Sequence, residues 1–171
     1  MRRSRSLLSL LVLVAAAIIP AERAVADPSP AALLCLGTVD VSYDPPLTYA
    51  NTPTQVSATE NLDCPTGGVS SGSASGSYVT TAGCTSIRLL VVASTTYFWN
   101  TGQSSEVTYT TTAIERLLNG TVLVTEQGTV TSGYGQGKTA VYQMILPQPD
   151  LLACAGAGVS HLTGSEVLTF L

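Results

Sequence analysis

Ser104 to Gly133 constrains the fold more than any other stretch of the chain. Two runs rich in Thr, Val, Ile and Tyr flank Asn119-Gly120, the strongest short-range signal of a β-hairpin. A two-residue type I′ turn needs positive φ at both central positions, which Asn and Gly tolerate. Threonine, branched at Cβ, favours the pleat over the helix. A strict two-residue turn pairs Leu117 with Val122, but it sets Arg116 against Leu123 and Glu115 against Val124. Neither face is then cleanly apolar, so a bulge or a longer loop is expected to reset the register.

The N-terminus sets the compartment. Arg2, Arg3 and Arg5 precede the apolar run Leu7 to Ile19, and Ala24-Val25-Ala26 offers the small residues a signal peptidase reads. Residues 1–26 are therefore expected to be a secretory signal peptide, and residues 27–171 a single secreted, extracellular domain. The apolar run is about 13 residues against the ~20 that span a bilayer. Leu33-Leu34 ahead of Cys35 does not suit lipidation, and the final Leu168-Thr169-Phe170-Leu171 carries no basic tail. No stable membrane anchor is expected. Without the signal, Arg88, Arg116 and Lys138 stand against ten carboxylates, three positive and ten negative charges for a net of −7. Three scattered cations cannot neutralise a phosphate backbone, which excludes nucleic acid as a partner.

Cys35, Cys64, Cys84 and Cys154 all follow the cleavage site. An even count in a secreted chain reads as two disulfides. Of three connectivities, 35–64 and 84–154 keep each bridge closest to local topology, and each would contribute roughly 3–4.5 kcal/mol by loop entropy. A zinc site lacks any Cys-x-x-Cys pair and has only His161 to add.

Strand signals fill the rest. Val39, Val41 and Tyr43 alternate on one face of Gly37 to Tyr43, before Pro45-Pro46. Gln55 to Cys64 follows as a second strand, and Pro65 to Ser77 is a Gly- and Ser-rich stretch expected to be a flexible loop. Ile87 to Ala93 reads as a strand covered on both faces. Thr95 to Asn100, Thr139 to Leu146, Leu151 to Cys154 and Glu166 to Leu171 complete the set. Eight or nine short strands without a helical period predict an all-β, antiparallel β-sandwich with two disulfides.

Trp99 lies about fifteen residues after Cys84, with Cys154 about seventy after it, a spacing that resembles immunoglobulin-like Greek-key domains. Leu152 stands where that family's corner Tyr would be. The whole mature region is also similar to a group of small secreted actinobacterial proteins of unassigned function. Cys35-Leu-Gly-Thr-Val-Asp-Val-Ser-Tyr, Phe98-Trp99-Asn100, Gly128-Thr-Val-Thr-Ser-Gly, Leu152-Ala-Cys154 and Leu168-Thr-Phe carry that likeness. It implies a secreted β domain and brings no catalytic residue with it.

Catalytic chemistry finds little footing. His161, beside Ser160, is the sole histidine, and no Gly-x-Ser-x-Gly elbow accompanies it. Asp40 and Asp44 share a strand face at about 13 Å, too far apart for glycosidase chemistry. The other acids are dispersed and read as a solvated surface, without a calcium loop. The expectation is a non-enzymatic protein with no metal and no cofactor. Tyr97 and Trp99 fall on one strand face, where an exposed aromatic pair would stack on sugar rings or anchor a protein partner. The favoured reading places Trp99 in the core, because the chain has few other large residues to fill one. Two functions are open: a binding module for a cell-wall, surface or small-molecule ligand, or a protease inhibitor presenting Pro65–Ser77. Gly and Ser make that loop a poor inhibitor, since inhibitor loops are rigid.

Overall fold

The computed structural model describes residues 32–86 and 93–171. The expected signal peptide, and all but Ala93 of the strand expected over Ile87–Ala93, lie outside the described residues. Among the described residues eight strands run in chain order: β1 (Leu33–Leu47), β2 (Thr52–Thr66), β3 (Ser71–Ala82), β4 (Ala93–Trp99), β5 (Ser104–Arg116), β6 (Thr121–Gly133), β7 (Thr139–Pro147) and β8 (Val159–Phe170). One short helix, α1 (Leu151–Ala155), interrupts them before β8.

The sheet is a closed barrel and not the expected sandwich. Every strand pairs antiparallel with its neighbours in the chain, and β8 returns to pair with β1 from Leu33↔Phe170 to Ser42↔His161. A sandwich needs two sheets with free edges; here the first and last strands pair with each other. The immunoglobulin-like order falls with it, because no strand crosses over. Cys84 and Cys154 are bridged, yet Trp99 packs in a different cluster, around the Cys35–Cys64 bridge. Both expected disulfide pairings are present.

The central hairpin stands where the sequence puts it, in a shifted register. Leu117 N–H donates to the Thr121 carbonyl at 2.9 Å, and Gly120 N–H to the Leu117 carbonyl at 3.2 Å. The turn is thus three residues long, with Gly120 at φ +83°, as in a type I turn closed by a left-handed residue. Arg116 now faces Val122 and Ile114 faces Val124. One residue of slip puts Arg116 and Ile114, in place of Leu117 and Glu115, on the face of Val122 and Val124, which are both buried. Two further register shifts fall between Glu106/Val107 and Tyr109/Thr111.

Three other expectations change. Pro65–Ser77 is the end of β2, a short turn and the start of β3, not a loop: Asn61↔Ser73 and Leu62↔Gly72 are ladder pairs. Ser and Gly suit this strand because its outer face is solvated. Leu151–Cys154 is helical, started by Asp150, whose side chain accepts from Leu152 N–H at 2.8 Å. β1 continues through Pro45-Pro46 to Leu47.

Outward positions are mostly Ser, Thr, Asn, Gln and Asp, and inward positions mostly Val, Leu, Ala and aromatics. That polarity is the reverse of a membrane-spanning barrel, whose outer band is apolar. No helix among the described residues is long and apolar enough to cross a membrane.

Candidate functional site

The barrel interior divides into two halves. The lower half is filled: Trp99, Tyr97, Phe170, Leu168, Leu33 and the Cys35–Cys64 bridge pack together. Trp99 stacks on Tyr97 with ring centroids 5.9 Å apart and meets Phe170 edge-on at 6.1 Å. Its indole N–H donates to Ser105 Oγ at 2.8 Å, and that hydroxyl donates to the Tyr134 carbonyl at 2.6 Å. Tyr97 is 1% and Trp99 4% exposed. Tyr97 and Trp99 therefore point inward, with Trp99 in the core as favoured from the sequence and no exposed aromatic pair formed, and Phe98, which alternates with them, is the exposed aromatic. Inward alternation from Tyr97 and Trp99 follows from β4 pairing both β3 and β5 at this end.

The upper half is hollow. A cavity of about 340 Å³ is lined from all eight strands. Val39, Val41, Val56, Val122, Val124 and Leu162 make most of its wall. α1 and the Cys84–Cys154 bridge pack at this end: Cys154 joins the cluster around Val41 and Leu47, and Tyr49 donates its hydroxyl to the Leu151 carbonyl at 3.0 Å. β3 and β4 pair only at Gly72↔Trp99 and Ser73↔Phe98. Further up, their described residues do not pair with each other, and Gly76, Ser77, Ser94 and Thr95 border the cavity there.

Carboxyl groups form its floor. Glu60 of β2 and Glu126 of β6 line the cavity with Tyr142, and Glu166 of β8 lies just beneath. Each is in phase with the apolar residues of its strand: Val56, Glu60 and Leu62; Val122, Val124 and Glu126; Leu162, Glu166 and Leu168. Barrel closure brings three acids that are far apart in sequence to one level. The expectation that the dispersed acids form a solvated surface is wrong for these three. An acid in step with an apolar alternation was the available signal.

Glu60 and Glu166 are buried and Glu126 is half-buried. Glu60 is 9% and Glu166 2% exposed. Tyr142 donates to Glu166 Oε2 at 2.8 Å, while the Tyr97 and Tyr109 hydroxyls bond each other at 2.8 Å. Glu60 Oε2 and Glu166 Oε1 are buried without a hydrogen-bond partner. Burial, reinforced by Glu166 and Glu126, pushes the Glu60 carboxyl up to about 8, with the Tyr97 hydrogen bond acting against it. Burial pushes Glu166 up to about 7 against the hydrogen bond from Tyr142. Burial raises Glu126 as well. No Lys, Arg or His is among the cavity-lining residues.

The other sequence candidates lie elsewhere. His161 sits on the outer wall, 3.5 Å from Asp40 and 3.1 Å from Thr163 Oγ1. Thr163 donates to Asp40 Oδ1 at 2.7 Å, so this trio is an exposed surface network. All four cysteines are in disulfides.

Comparison with protein-family models, with curated proteins and with solved structures finds no match to this chain.

Proposed function

We propose that the protein is a non-catalytic extracellular binding protein that takes one small, largely apolar molecule into its barrel. The observation that carries this reading is the cavity of about 340 Å³ in the upper half, with apolar walls and a few convergent polar groups at its floor. Small-molecule sites share that size and that division of labour. An eight-strand barrel has an interior wide enough to be filled by side chains or to hold one small ligand, and here the lower half is filled and the upper half is not. Two disulfides fit an oxidising compartment outside the cytosol. We place the ligand's way in between β3 and β4, where Gly76, Ser77, Ser94 and Thr95 border the cavity. The inhibitor alternative loses its loop, since Pro65–Ser77 is built into β2 and β3.

Calorimetric titration with 1-decanol tests the reading. Saturable 1:1 binding is expected, weakened at least about tenfold by Val124→Trp, which fills the cavity while circular dichroism stays unchanged. No saturable binding to the unmodified protein, or binding that ignores Val124→Trp, contradicts it.

A further inference from the structure

The cavity floor has a chemistry of its own, and an inference from it rests on the binding function proposed for the barrel. Glu60 lines the cavity while being only 9% exposed, and its Oε2 is buried without a hydrogen-bond partner. Glu126 borders the same cavity from the opposite part of the sheet. A buried polar group without a partner costs about 1–3 kcal/mol, and more when charged. Native interiors keep few such groups. Here one belongs to a carboxyl side chain that lines a cavity, it is an acceptor, and no cation among the lining residues answers it.

We infer that the ligand carries a protonated amine on an apolar body, with the ammonium seated on Glu60 and Glu126 and the hydrocarbon against the valine wall. An ammonium brings three donors and one positive charge, which matches two carboxyl groups with acceptor oxygens to offer. A carboxylate ligand would add a further negative charge to a floor that already holds three acids. A metal ion fits less well, because no group of three His, Cys, Asp or Glu among the described residues is placed to hold one. The volume suits an amine of modest size: at roughly 30 Å³ per water-sized group, 340 Å³ has room for about eleven such groups. The net negative charge of the mature chain favours the approach of a cation.

Binding should release protons. The titratable side chains that interact with Glu60 are Tyr97 of β4, Tyr109 of β5, Glu126 of β6, Tyr142 of β7 and Glu166 of β8, and Tyr43 of β1 and Tyr78 of β3 line the same cavity. Burial raises every one of these tyrosines above its ordinary value. The carboxyls are therefore the groups that change charge between pH 5 and 9. An ammonium needs Glu60 ionised, so each amine bound at pH 6 must first displace a proton from it. Amine affinity is expected to rise up to tenfold per pH unit between pH 6 and pH 8.

The test is calorimetry with a matched trio, 1-aminodecane, 1-decanol and decanoate, at pH 6, 7 and 8. The expected result is 1-aminodecane at least tenfold tighter than either companion at pH 8. That preference should shrink towards pH 6 and fall to within threefold in Glu60→Gln or, should that variant fold poorly, Glu126→Gln. Saturable binding in which decanol or decanoate equals the amine overturns the amine assignment and leaves the cavity's binding function standing. Absence of 1:1 binding by all three overturns both.

Discussion

Tyr142 donates its hydroxyl to Glu166 Oε2 at 2.8 Å inside the barrel, while Glu166 Oε1 stays unpartnered. The pair belongs to a carboxyl level whose acids are held towards their neutral forms by burial. Unfolded glutamates titrate near pH 4.3, whereas Glu60 and Glu166 titrate at about 8 and about 7 in the fold. The folded chain thus holds more protons than the unfolded chain across that window. The unfolded carboxyls ionise first, so stability is greatest at about pH 4.5 and below and falls as the pH rises through 7 and 8. Thermal melts of the ligand-free protein should show Tm dropping from pH 5 to pH 8.5, by an amount equivalent to several kcal/mol at about 1.4 kcal/mol per pH unit. In Glu60→Gln/Glu166→Gln the slope should flatten. A Tm that is flat or rises over this range in the unmodified protein contradicts the buried carboxyl floor.

Trp99 reports on the filled half. It is buried, hydrogen-bonded to Ser105 and enclosed by Tyr97, Tyr134 and Phe170. Its emission should be blue-shifted and resistant to acrylamide. Trp99→Ala should cost about 3–5 kcal/mol, as large core truncations do. Red-shifted, quenchable emission would put the indole in water and remove the plug beneath the cavity.

The two disulfides should separate by function. Their loops of 29 and 70 residues predict losses of about 3.6 and about 4.4 kcal/mol on removal, by loop entropy. Cys35–Cys64 lies in the filled half and Cys84–Cys154 at the cavity end. Denaturant melts should show both losses, while decanol binding should weaken mainly in Cys84→Ser/Cys154→Ser. Equal effects of the two pairs on binding would contradict this placement.

Two glycines distinguish wall from mouth. A methyl on Gly128 would collide with the Thr108 carbonyl and Tyr109 Cα beside the β5 register shift, so Gly128→Ala should cost about 1–3 kcal/mol. At Gly76 an added Cβ meets nothing within 4 Å. Gly76→Trp should leave stability within about 0.5 kcal/mol and slow ligand association in stopped-flow traces. Unchanged association would place the mouth away from β3 and β4.

Most of the strands are legible in the sequence because their alternation is local, and so are the disulfides and the hairpin at Asn119-Gly120. Closure is not. Pairing between Leu33 and Phe170 joins segments far apart in the chain, and nothing in either segment distinguishes a barrel seam from a sandwich edge. The hairpin register turns on one residue: a three-residue turn at Leu118–Gly120 changes which side chains of β5 share a face with Val122 and Val124. Ser71–Ala82 reads as a loop over its first half because Ser and Gly are poor strand formers, yet Ala74, Tyr78 and Ala82 keep a period of two that its pairing with β2 uses. The carboxyl floor is visible only in part. Glu60, Glu126 and Glu166 each keep step with apolar neighbours, but their convergence needs β2, β6 and β8 bent into one ring.

The most direct measurement is a methyl-resolved NMR titration of residues 27–171 with 1-decanol. A site inside the barrel predicts saturable shifts at Val41, Val56, Val124 and Leu162, which wall the cavity, with Leu33 and Leu168 of the filled half little changed. Shifts confined to the exposed Leu118, Leu151 and Leu152, or no saturable shift at any methyl, would contradict it.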